Sequence, residues 1–174
     1  YKYRIYPDRP TREYFEKCFG CVRFMYNNML ADKMAYYKEH KKMLKNTPAG
    51  YKAKYPWLRE VDSLALANAQ LNLQSAYKRF FSSPDVGFPK FKTKHRSKKS
   101  YTTNNQNNTI YLEQGKLKLP KLKSLVRVLE HRPLKGIIRS CTISCVSGKY
   151  YASILVETHI EKLPVKCEKV GVDV

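Results

Sequence analysis

Residues 1–6 set Tyr1, Tyr3 and Ile5 against Lys2 and Arg4, the two-residue period of a strand. Pro7 and Pro10 end the pattern. Comparable patterning does not return until Thr109. One short strand has no independent stability and needs partners. Those partners must come from the C-terminal half, so the residues between form an insertion. The constraint predicts an α+β chain, with a helical segment interrupting a small antiparallel β-barrel after its first strand.

The intervening segment carries two helical patterns. Phe15, Cys18, Val22, Met25 and Met29 recur at steps of three and four, with Phe19, Tyr26 and Leu30 beside them. This helix is expected to open at Thr11 as N-cap, with Glu13 in its first turn, and to run to about His40. Lys41 to Lys54 reads as a loop or short helix, and Tyr55-Pro56-Trp57-Leu58 as a local anchor. A second helix opens at Asp62 or Ser63. Leu66, Ala69, Leu73, Ala76 and Phe80 line one face, which Leu64, Leu71 and Tyr77 widen. Ser82 to Gly87 ends it.

Beyond that point the period changes. Strands are predicted over 109–113, 116–119, 125–130, 139–146 and 149–157, with turns at Gln114-Gly115 and Ser147-Gly148. Residues 170–174 read as one more strand, carrying Asp173. The segment PKFKTKHRSKK reads as an extended basic arm leading back to the strands. The chain has no initiator Met and stops inside that last strand, and the reading is of a piece of a longer protein.

Charge narrows the function. The 174 residues hold 34 Lys and Arg against 14 Asp and Glu, a net charge of +20. Self-repulsion on that scale opposes compaction unless a polyanion screens it. An enzyme for small neutral substrates fits poorly. With 14 Tyr, 7 Phe and a hydrophobic fraction of 43%, disorder fits poorly too. Nucleic acid is the natural partner of a basic, aromatic-rich, foldable chain. No apolar run approaches the roughly 18 residues of a membrane span. Five cysteines, an odd number, argue against a closed disulfide framework and suit a reducing cytoplasm. Cys18 and Cys21 sit in a helical apolar pattern, Cys141 and Cys145 on one face of a strand; buried hydrophobes explain them better than zinc ligands. The four His are scattered without ligand spacing.

The charge is concentrated. Residues 86–129 carry eleven Lys and Arg against Glu113 alone. Lys90, Lys92, Lys94, Arg96, Lys98 and Lys99 fall within ten residues, flanked by Phe88, Phe91 and Tyr101. Cations neutralise phosphates and aromatics stack on unpaired bases. A solvated basic linker remains the plain alternative. The polar run Thr102 to Thr109 offers amides and hydroxyls to base edges, or is simply a polar loop. Asp173 by itself is one carboxylate, whereas two-metal phosphodiester chemistry needs several.

In order along the chain, YRIYP, FGCVRFMYN, YPWLREVDSLAL, YKRFF, VGFPKFKTKHRSKKSYTT, GKLKLPKL and GVDV resemble the N-terminal part of TnpB, the RNA-guided DNA nuclease family of insertion sequences, related to the miniature type V CRISPR effectors. The resemblance implies an OB-like wedge domain over 1–8 and 104–165. It also implies a helical recognition domain with a basic return arm over 9–103, and the start of a RuvC-like (RNase H-like) domain over 166–174. It makes Asp173 the first metal-binding carboxylate of RuvC, with its partners downstream, and Mg2+ the cofactor of the whole protein. It implies a guide RNA and a double-stranded DNA target as partners, no membrane, a monomer or dimer on the RNA, and a nucleoid-associated place in a bacterial or archaeal cytoplasm. By the same resemblance, Ser63, Asn68, Tyr101, Thr103 and Asn104 would read a short target-adjacent duplex motif. Some relatives have lysine and glutamine where this chain has Ser63 and Ala67. Lys90, Lys92, Lys94, Arg96, Lys98, Lys99, Lys118, Lys121 and Lys123 would contact RNA or DNA backbone. Two other readings stay open: a nuclease-dead, RNA-guided repressor of the same family, and a structural RNA-binding protein of ribosomal type.

Overall fold

The computed structural model describes residues 1–159; Asp173 and the strand expected over 170–174 lie outside the described residues. The first strand, β1, is Lys2–Tyr6. A long helix α1 (Arg9–His40), a short helix α2 (Pro48–Lys54), a 3-10 turn (Pro56–Glu60) and helix α3 (Ser63–Ser82) follow. Six strands come next: β2 (Lys99–Asn104), β3 (Tyr111–Glu113), β4 (Lys116–Lys118), β5 (Val126–Leu129), β6 (Ile137–Val146) and β7 (Lys149–Glu157).

All seven strands form one antiparallel sheet in the order β2-β6-β7-β1-β5-β4-β3. The partners that β1 needed are β7 and β5, which flank it. The helices therefore do fall between two strands of one sheet. Among the described residues the sheet is open: β2 and β3 are its edges, so the closure expected of a barrel is not among their pairings. Both predicted hairpin turns form, with positive φ at Gln114 and Gly115 and at Ser147 and Gly148, as tight turns between twisted strands require.

One face of the sheet and one stripe of each long helix make the core. Tyr3, Ile5, Val126, Val128, Cys141, Ile143, Ala152 and Ile154 supply the sheet side. Phe15, Cys18, Met25, Met29 and Leu30 come from α1, and Leu66, Ala69 and Leu73 from α3. Phe15 lies 6.1 Å from the Tyr101 ring and 5.9 Å from Tyr150, tying α1 to both β2 and β7. Leu71 is exposed rather than part of the apolar face of α3.

Three local expectations change. The N-cap of α1 is Asp8, whose carboxylate accepts from the Thr11 N–H at 2.9 Å; Pro10 in the first turn fits because it has no N–H to satisfy. Thr11 is instead buried inside the helix. Residues 99–104, read as part of a basic arm and polar loop, are strand β2, paired with β6 along its whole length. The arm is not extended throughout, since Thr93 and Ser97 close a turn through backbone and hydroxyl hydrogen bonds.

Asp62 precedes α3 as its N-cap residue but makes no side-chain cap bond. Its carboxylate accepts a hydrogen bond from the Thr103 hydroxyl of β2, and both side chains are buried. This contact fastens the helical insert to the sheet edge. Removing the hydroxyl leaves a buried carboxylate oxygen unpaired, which costs about 1–3 kcal/mol or more for a charged group. Thr103→Val should lower the unfolding free energy by roughly 2 kcal/mol in urea denaturation, while Thr103→Ser should stay near wild type.

Candidate nucleic-acid interface

A groove of about 690 Å³ opens between α1, α3, the arm and β2. Arg23 enters from α1, Arg79 from α3, and Lys92 and Lys98 from the arm; Asn68 and Asn72 add amides, and Tyr101 with Thr102 forms the β2 wall. Among the described residues no carboxylate lines it. Four cations converging on a trough without a counter-charge suit a phosphate backbone, with the amides available to base edges or sugars.

The arm is held in place by α1. The Asn27 amide donates to the Lys92 carbonyl at 2.8 Å and its oxygen accepts from the Lys92 N–H at 2.8 Å. The Lys92 ammonium sits 4.2 Å from the Tyr26 ring centroid. Burial pushes the Lys92 pKa down, because the charged form has lost water without gaining a carboxylate. An incoming phosphate would relieve that cost.

The candidate motif-reading residues divide. Asn68 and Asn104 are brought together, with the Asn68 amide 3.3 Å from the Asn104 oxygen across the α3–β2 junction. Ser63 lies at the exposed start of α3, where its hydroxyl accepts from Lys52 at 2.6 Å. The first turn of α3 has no side-chain cap there, so its N–H groups and Lys52 lie together at the helix start. Tyr101 is buried and meets the groove only at its wall, and Thr103 is wholly buried with its hydroxyl committed to Asp62. Thr103 is therefore a supporting residue, a correction to its expected role as a reader.

The candidate phosphate contacts divide too. Lys90, Lys94, Arg96, Lys98 and Lys123 are exposed. Lys99 is ion-paired with Glu16 at 3.0 Å. Lys118 donates to the Leu122 carbonyl, and Lys121 to that of Arg59 at 2.8 Å. Sequence reasoning missed Arg23, Lys52, Asn72 and Arg79, which look like solvated helix residues until the helices are folded against the arm. The outer sheet face adds a second basic surface. Lys2 lies 4.9 Å from the Tyr151 ring centroid, and Arg4 and Arg127 lie 5.2 and 5.5 Å from that of Tyr6.

Cys18, Cys21 and Cys141 are buried and structural. Burial pushes the Cys18 thiol up to about 12, Cys21 to about 11 and Cys141 to about 12. Among the described residues no cluster of three or more His, Cys, Asp or Glu could hold a metal. No helix among them is long and apolar enough to cross a membrane.

Residues 1–42 match the family described as a helix-turn-helix domain of insertion-sequence OrfB proteins. In this fold those residues hold one strand and one continuous helix rather than two helices about a turn. A protein of Streptomyces pristinaespiralis named "Putative RNA-guided DNA endonuclease" is 28% identical over 99% of this chain and 45% of its own length. An Escherichia coli protein of the same name, designated InsQ, is 27% identical over 92% of this chain and 40% of its own length. The chain belongs to the TnpB family. The virulence protein VsdF of Salmonella dublin is also similar, 36% identical over 52% of this chain and 89% of its own length. The TnpB-type chain thus spans less than half the length of its two endonuclease-named relatives.

Because Lys92 is desolvated, its loss should separate stability from binding. Lys92→Met should leave the melting temperature of the free protein unchanged or higher. It should weaken nucleic-acid binding about tenfold, the effect of losing roughly one strong phosphate contact. Differential scanning fluorimetry and filter binding on the same preparations check both.

Proposed function

We propose that this chain is the N-terminal nucleic-acid-binding half of a transposon-associated, RNA-guided DNA endonuclease. The groove with Arg23, Arg79, Lys92 and Lys98, and no opposing carboxylate among the described residues, carries the reading. In this account the open sheet is the wedge, expected over 1–8 and 104–165 but taking in the whole of β2 (Lys99–Asn104), and the helical recognition insert ends before that strand. It binds a guide RNA scaffold, and the α3–β2 junction at Ser63, Asn68 and Asn104 reads a short motif beside the target. Base pairing reads the rest of the target, while protein cations hold backbone.

Cleavage would belong to a RuvC-type domain beginning near residue 166, with Asp173 as one carboxylate for Mg2+. Two-metal chemistry needs several such ligands, and this chain offers no such cluster among its described residues. Its own part is therefore to bind and position nucleic acid.

Two measurements test the proposal on the intact protein. Affinity for its co-purifying RNA should fall roughly 10³-fold between about 50 and 200 mM salt if some six phosphates are neutralised. A flat salt response contradicts the phosphate track. Asn68→Ala combined with Asn104→Ala should reduce cleavage of a matched plasmid in magnesium at least tenfold while leaving RNA binding within about twofold, since base-edge contacts are worth about 1–3 kcal/mol each. Equal loss of RNA binding would move those residues from motif reading to the RNA.

A further inference from the structure

The C-terminal end of α3 carries three aromatics: Tyr77 belongs to the core, whereas Phe80 and Phe81 belong to neither the core nor the groove. Tyr77 is buried, and the Phe81 ring stacks on it with centroids 6.2 Å apart and planes 18° from parallel. Phe81 is itself 70% exposed, so the stack ends in solvent. Phe80 and Phe88 buttress it: Phe80 lies 5.1 Å from Phe81 and 5.3 Å from Phe88, and Phe88 meets Tyr77 edge-on at 5.6 Å. Phe88 and, further along the arm, Phe91 are also exposed. Single exposed apolar residues need no explanation, but a contiguous exposed cluster marks a contact site.

Charge selects the occupant. Lys78 and Arg79 immediately precede the cluster on α3 and Lys90 follows it, while Asp85 is the single carboxylate between residues 63 and 112. Arg79 also lines the groove. Arg79 and Phe81 stand two residues apart in the last turn of α3 and project to different sides of it, so a strand with its phosphates along the groove reaches Phe81 by rounding the end of the helix. An aromatic ring with one face packed and the other open accepts any base, because every base has a π-face.

We propose that Phe81, backed by Tyr77 and braced by Phe80 and Phe88, is a stacking platform for an unpaired base of a nucleic-acid strand leaving the groove. The platform rests on the reading of the groove as a phosphate track, and the two are separable by experiment. The probes are a single-stranded oligodeoxynucleotide and the same strand with abasic sites, each titrated into the intact protein. Phe81→Ala should weaken the base-bearing strand roughly tenfold, within the range for one stacked base, and Phe81→Leu should not restore it. Phe81→Trp should bind like wild type. The abasic strand should bind wild type and Phe81→Ala equally, with an unchanged salt slope.

Equal affinity of wild type and Phe81→Ala for the base-bearing strand would overturn the platform, leaving the patch to be covered by protein. An equal loss on the abasic strand would also overturn it, since Phe81 would then only shape the groove. Failure of the abasic strand to bind wild type at low salt would sink the phosphate track itself, and the platform with it.

Discussion

The hydrogen bond from Thr103 to the Asp62 carboxylate joins the two halves of this molecule. It is formed between a helix start, where α3 has no full turn to rely on, and a sheet edge, where β2 has its ladder to β6 on one side. Because β2 pairs on one side only, its other side is free to receive α3. Because Asp62 is turned toward Thr103, the first turn of α3 keeps its N–H groups uncapped beside Lys52. The groove exists because α3, α1 and β2 are held at this junction while the arm passes over α1.

The same arrangement sets stability against binding. A chain of net charge +20 has placed four cations around a trough without a counter-charge and has desolvated one of them. Each such placement disfavours the free fold and favours a bound polyanion. Natural proteins accept local destabilisation of this kind where function requires it. The Tyr26 ring and the Asn27 amide offset part of the cost for Lys92, which explains why the arm is ordered against α1 rather than left to solvent.

Much of the architecture is legible in the sequence because local period carries it. The isolation of β1 requires a discontinuous sheet, the stripe of Phe15, Cys18, Met25 and Met29 requires a long helix, and paired turn residues mark both hairpins. Strand β2 is not legible, since its inward residues are Tyr101 and Thr103 rather than an aliphatic row. The hydroxyl of Thr103 is acceptable in the core only because Asp62 answers it from far along the chain, and no local pattern encodes that. The true cap of α1 was hidden for a related reason. Asp8 and Thr11 are both good capping types, and the first-turn geometry of Pro10 decides between them. The groove was half legible: its arm lysines stand out by composition, whereas Arg23 and Arg79 become site residues only through helix packing.

The most direct test of the central claim, that the junction of α3, the arm and β2 is where nucleic acid lies, is ultraviolet crosslinking of the intact protein to the nucleic acid it purifies with, followed by peptide mapping. Crosslinks should concentrate on residues 63–104, including the peptides that carry Lys92, Lys98 and Phe81. Crosslinks confined to residues outside that span, with the groove peptides unmodified, would contradict it.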